Sequence, residues 1–136
     1  MNHWSAQYVG IPAKLLHSSR DGCDCYGLLR LVYREVFDIQ LPEHRAHIAK
    51  ALRGGEIPAE GEIQKITEPT DDPQDGDVLH MWAVQNGRRM ANHVGIVVQN
   101  PHKILHLQEG SDSCIMDIRR PENAWRPIQY YRRPNR

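Results

Sequence analysis

The 136-residue sequence contains no apolar run of membrane length; a bilayer-crossing helix needs about 20 such residues. Its start, Met1-Asn2-His3-Trp4, lacks the basic-then-apolar order of a cleavable signal peptide. The chain is therefore expected to be made in the cytoplasm and to stay there, unless something delivers it without such a signal. Net charge is missing too. Seventeen Lys and Arg balance seventeen Asp and Glu, so bulk electrostatics gives no argument for nucleic acid. Cysteine is scarce and odd in number, at three. Cys23 and Cys25 stand too close for an ordinary disulfide and Cys114 is remote, so no disulfide framework is expected. Internal repeats and low-complexity segments are absent. The length suits one domain, residues 1–136, with a core of its own.

The organising stretch is Gly22-Cys23-Asp24-Cys25-Tyr26-Gly27-Leu28-Leu29-Arg30-Leu31-Val32-Tyr33. Asp24 is a good N-cap, and Cys25, Leu29, Val32 and Val36 fall at i, i+4, i+7 and i+11, on one helical face. The Cys25 thiol thus sits in a first helical turn, where free N–H groups and the positive end of the macrodipole favour thiolate. A cysteine at the start of an apolar helix is more often a small buried hydrophobe. The local pattern leaves both readings open.

A short first helix is expected around Trp4 and Tyr8, broken at Gly10 and Pro12. His17 to Gly22 reads as polar loop. The Cys25 helix should run to about Phe37, and a second helix is expected from Glu43 to Arg53, stopped by Gly54-Gly55. Residues 56–77 hold eight acidic residues against one Lys65, with three prolines. They read as a surface connection with one short element around Ile63 to Ile66. After Gly76 come five β-rich runs: Asp77 to Val84, His93 to Gln99, Lys103 to Glu109, Cys114 to Ile118 and Ile128 to Arg132. Asn86-Gly87, Asn100-Pro101 and Gly110-Ser111 are turn signals between them. Short turns make the sheet antiparallel, and helices before strands is the α+β pattern.

A cysteine nucleophile needs a base, and the base an orienting group. Among eight histidines, two lie in strands with a useful phase. His93 shares a face with Gly95 and Val97; His106 shares one with Ile104 and Gln108. If the hairpin places His106 opposite Gly95, His93 is its diagonal neighbour on the same face, roughly 7 Å away. Gly95 would leave room for two imidazoles, and a slip of one residue would turn the face over. Either histidine could also be a satisfied strand residue. His3, His17 and His80 read as surface or edge residues. Zinc is not expected. Cys23 and Cys25 are one residue apart rather than two to four, and neither His44/His47 nor His102/His106 completes a finger. No other cofactor is implied.

Four blocks, in order, resemble the NlpC family of papain-like cysteine peptidases. They are Asp24-Cys25-Tyr26-Gly27-Leu28 at a helix start, Asp75-Gly76-Asp77-Val78-Leu79 at a strand entry, His93-Val94-Gly95-Ile96, and Ile104-Leu105-His106. The resemblance covers roughly residues 5 to 133. It implies an α+β papain-like fold, with N-terminal helices and the nucleophile helix packed on an antiparallel sheet. The implied activity is cleavage of amide bonds in peptidoglycan stem peptides, often next to D-γ-glutamyl. Cys25 would be the nucleophile, His93 the general base and His106 the group orienting His93. Asp24 and Tyr26 would belong to the substrate end of the cleft.

The variant is similar to members encoded with bacteriophage tail genes. The features are Val9-Gly10-Ile11-Pro12, Leu31-Val32-Tyr33, His106-Leu107-Gln108-Glu109-Gly110, Trp125 and Tyr130-Tyr131-Arg132-Arg133-Pro134. The resemblance therefore implies a tail-associated enzyme, with a stem peptide as substrate and tail proteins as partners. Two positions depart from the common pattern: Ala13 where an aromatic often stands, and Tyr26 where Ser or Trp is frequent. The alternatives are a non-catalytic tail assembly module on the same fold, or an amidase for another γ-glutamyl compound or a protein.

Overall fold

A computed structural model of the protein describes residues 3–42, 67–85, 87–108 and 110–134. The expected helix from Glu43 to Arg53 and the element around Ile63 to Ile66 lie outside them. A one-turn 3-10 helix spans Trp4–Tyr8. Residues expected as polar loop instead form a two-stranded ribbon, β1 (Ser18–Ser19) and β2 (Gly22–Cys23). Backbone bonds hold β2 to the preceding segment: Cys23 N–H donates to the Pro12 carbonyl (3.0 Å) and Lys14 N–H to that of Cys23 (2.7 Å).

Helix α1 runs from Cys25 to Val36. Asp24 caps it with extended backbone, its carboxylate accepting the Gly27 N–H at 2.6 Å. A side chain at Gly27 could not fit, because a Cβ there would lie 1.9 Å from the His17 carbonyl oxygen. The apolar face is broader than one stripe. Leu28, Leu29, Leu31, Val32 and Tyr33 are all buried, in one cluster with Tyr8, Ile11, Ile39 and Leu41.

The remaining strands are β3 (Pro69–Thr70), β4 (Val78–Gln85), β5 (Arg88–Val98), β6 (Asn100–His106), β7 (Cys114–Asp117) and β8 (Arg126–Tyr131). They form one antiparallel sheet in the order β3-β8-β4-β5-β6-β7. The architecture is thus the expected α+β one, a helix on an antiparallel sheet. Both faces of the sheet are covered. Val78, Val94, Ile96, Val98, Leu105 and Leu107 pack with α1, while Leu79, Met81, Val97 and Ile104 pack with Ile118 and Trp125. Central placement of β4 corrects one expectation: His80 is buried rather than at an edge.

The Asp75-Gly76-Asp77 strand entry has a structural explanation. Asp77 is fully buried, and its carboxylate accepts the N–H groups of Gln74 and Arg133, each at 2.8 Å. It ties the start of β4 to the chain leaving β8. Replacing Asp77 by Ala orphans both donors, and each buried unsatisfied group costs about 1–3 kcal/mol. Asp77→Ala should therefore lose about 2–4 kcal/mol of stability in urea unfolding. A loss below about 0.5 kcal/mol, the usual range of surface changes, would refute the assigned role.

Candidate active site

Two ring systems meet on the sheet face that Trp125 covers. The β5–β6 register, Ile96 opposite Leu105 and Val97 opposite Ile104, extends to Gly95 opposite His106. His93 and His106 are therefore diagonal neighbours on one face, with His93 Nε2 2.9 Å from His106 Nδ1. The rings meet edge to face, centroids 5.2 Å apart. The space at Gly95 is used differently from the expectation. A Cβ there would lie 2.4 Å from Ile104 Cγ2 and 3.0 Å from Met81 Cε. The missing side chain leaves its space to these apolar neighbours.

Cys25 opens α1 and is half-buried. The β5–β6 pairing ends at Ile96–Leu105, and just beyond, the thiol is engaged by the backbone N–H of Val94. The sulfur thus lies beside the peptide that joins His93 to Val94. The N–H groups of Cys25 and Tyr26 also act on it. Burial outweighs these donors, and Asp24 adds to it, so the thiol is pushed up to about 11. Burial also lowers His93 to about 3, helped by the neighbouring rings of His106 and His80, and lowers His106 to about 4. The resting site is therefore a neutral thiol with neutral imidazoles.

Those neutral rings make stability depend on pH. Both folded values lie below the unfolded value near 6.5, so their contribution is complete above pH 6.5. It is lost as pH falls towards the folded values, by about 1.4 kcal/mol per ring for each pH unit. The thermal midpoint should drop clearly between pH 7 and pH 5, and a His93→Gln/His106→Asn double variant should drop much less. Equal drops would mean that the rings are not held neutral.

Asp24 and Tyr26 have structural partners. Besides Gly27, the Asp24 carboxylate accepts the Leu16 N–H at 3.0 Å; the Tyr26 ring is buried and its hydroxyl donates to the Pro42 carbonyl at 2.8 Å. Two residues, Trp125 and Cys114, join the site that the strand phases did not indicate. Trp125 stacks on His93, with centroids 4.0 Å apart and planes at 21°. Its Nε1–H donates to Gln108 Oε1 at 2.9 Å, which holds the indole in place. Cys114 stands opposite His106 across β6 and β7, its sulfur 3.5 Å from His106 Nε2. Cys114, remote from the other cysteines in sequence, thus has a histidine partner. A cavity of about 570 Å³ lies beside His106, lined by it, Gln108 and Trp125 with Lys103, Asp117 and Arg120. Among the described residues, no three His, Cys, Asp or Glu side chains converge as a metal site requires. No helix among them is long and apolar enough to cross a membrane.

Comparison with known proteins gives a family match and a set of similar structures. The NlpC/P60 family model matches residues 13–128. The chain is similar to the NlpC/p60 domain of the peptidoglycan hydrolase SagA, at 21% identity and a TM-score of 0.61, over 95% of this chain and 92% of that one. It is also similar to a lipoprotein-like protein of the NLP/P60 family from Staphylococcus aureus subsp. aureus Mu50, at 19% identity and a TM-score of 0.64. That match covers 97% of this chain and 39% of the other. At such identities the likeness is one of fold. No curated protein matches the chain.

Proposed function

The chain belongs to the NlpC/P60 family, and from that premise we propose that it is a cysteine peptidase or amidase hydrolysing amide bonds in peptidoglycan stem peptides. The observation that carries this reading is the junction of Cys25, at the start of α1, with the β5 peptide leading from His93, whose ring bonds His106. The similar SagA domain is that of a peptidoglycan hydrolase, which supports the substrate class.

In the proposed mechanism the Cys25 sulfur attacks the scissile carbonyl carbon as His93 Nδ1 takes the thiol proton. With both groups neutral at rest, the proton moves with the attack rather than before it. Backbone N–H groups at the helix start, that of Cys25 first, receive the developing oxyanion. The imidazolium then protonates the leaving amine, a thioester remains on Cys25, and water hydrolyses it with His93 again as base. His93 Nε2–H donates to His106 Nδ1 throughout, which keeps Nδ1 free for the thiol. The Trp125 face stabilises the transient imidazolium through its ring quadrupole. The cavity beside His106 and Trp125 lies within the usual range for a ligand pocket, about 300–1,000 Å³, and would take the substrate flank. Asp24 and Tyr26 would set the shape of the substrate end from behind, through the helix start.

The likeness of Val9-Gly10-Ile11-Pro12, Leu31-Val32-Tyr33, His106-Leu107-Gln108-Glu109-Gly110, Trp125 and Tyr130-Tyr131-Arg132-Arg133-Pro134 to tail-encoded members supports one catalytic domain acting from a phage particle, with tail proteins as partners. Digestion of purified peptidoglycan, with mass analysis of the fragments, tests the activity. New amino groups on stem-peptide fragments are expected. Undigested sacculi would favour an assembly module instead.

A further inference from the structure

Cys114 has no part in the mechanism above, yet its sulfur is the group that meets the far nitrogen of the His93–His106 pair. Its place is set from two directions. The β6–β7 register puts it directly opposite His106. Its neighbour Ser113 is buried and bonded on every side. The Ser113 N–H donates to the Ile11 carbonyl, its carbonyl accepts the Gly10 N–H, its Oγ accepts the Ile11 N–H, and that hydroxyl donates to the Tyr8 carbonyl. The segment anchored there also accepts the Cys23 N–H at Pro12, so one stretch of chain fixes both the Cys25 end and the Cys114 end of the site.

The hydrogen bonds must run in one direction. If His93 Nδ1 is the base, His93 carries its proton on Nε2 and His106 Nδ1 must accept it. A neutral His106 then carries its own proton on Nε2, pointing at the Cys114 sulfur 3.5 Å away. Reversal, with the Cys114 S–H donating to His106, would place protons on His106 Nδ1 and His93 Nδ1 and block the base. We propose that Cys114 is a positioning residue: its sulfur accepts the His106 Nε2–H and holds that ring in the tautomer whose Nδ1 accepts from His93. The assigned direction rests on the function proposed above, since it starts from His93 Nδ1 as the base; the reading of the tautomer by NMR does not depend on activity.

The test is ring-15N NMR of the histidines, with kcat and KM on a stem peptide, for the protein and for Cys114→Ala and Cys114→Ser. Cys114 is an exposed residue on an edge strand, so both variants should keep the thermal midpoint. The unsubstituted protein should show His106 protonated at Nε2 and bare at Nδ1. Cys114→Ala should mix the two tautomers and lower kcat roughly 3- to 10-fold with KM unchanged, the scale of one weak hydrogen bond. Cys114→Ser, which retains an acceptor, should restore both. Protonation of His106 at Nδ1 in the unsubstituted protein would overturn the proposal. So would a Cys114→Ala variant with unchanged tautomer and kcat. A tautomer shift with no hydrolysis by any of the three proteins would support the hold on His106 and remove the proposed function.

Discussion

Cys25→Ala should lower kcat on a stem-peptide substrate by at least about 10⁴-fold, the scale of removing a nucleophile that acts as one unit with its base. His93 cannot form a thioester by itself, and what remains is the contribution of binding and of the backbone N–H groups. The fold should survive, because Cys25 is only partly buried where it packs against the core cluster and Ala keeps its Cβ. The same experiment on Cys23 gives the control. Cys23 is fully buried and its thiol donates to the Ser19 carbonyl at 3.1 Å, so Cys23→Ser should change kcat by no more than a few fold. Loss of turnover in a folded Cys23→Ser variant would mean that the wrong cysteine has been assigned.

The two histidines should fail unequally. His93 moves the proton in both halves of the reaction, and general acid–base catalysis is worth about 10²–10⁴-fold. His93→Ala should lose at least that much in kcat/KM. His106 only holds the His93 ring and its tautomer, so His106→Ala should lose less. His106→Asn or His106→Gln should lose less again, because an amide oxygen can still accept the His93 Nε2–H. Circular dichroism separates these effects from unfolding. Near-full activity in His93→Ala together with its loss in His106→Ala would reverse the roles.

The parts of the site legible in the sequence are those set by short-range periodicity. Asp24 and the apolar spacing after it place Cys25 at a helix start, and the period of two places His93 and His106 on a common face. Their register stood only as a condition in the sequence; the structure sets it with a tight hairpin turning at Gln99, between β5 and β6, and with Asn100-Pro101 inside β6. Cys114 was out of reach because its partner depends on the path of residues 107–113 between β6 and β7. Trp125 was out of reach because it arrives over His93 from a segment outside the hairpin, held by a bond to Gln108 that no spacing encodes. His80 reads as polar and exposed only while the strand order is unknown; with β8 and β5 on either side of β4, it is inside. The space at Gly95 depends on the strand order for a related reason. Which atoms fill a missing side chain depends on β4 and β6 together, and Met81 and Ile104 reach the space first.

The central claim is that Cys25, activated by His93, carries the acyl group. Acid quenching during turnover of a stem-peptide substrate, followed by peptide mapping in a mass spectrometer, reads this directly. The account predicts a thioester on the peptide containing Cys25, absent in Cys25→Ala and still formed in Cys114→Ser. A thioester on Cys114, or unimpaired turnover by Cys25→Ala, would contradict it.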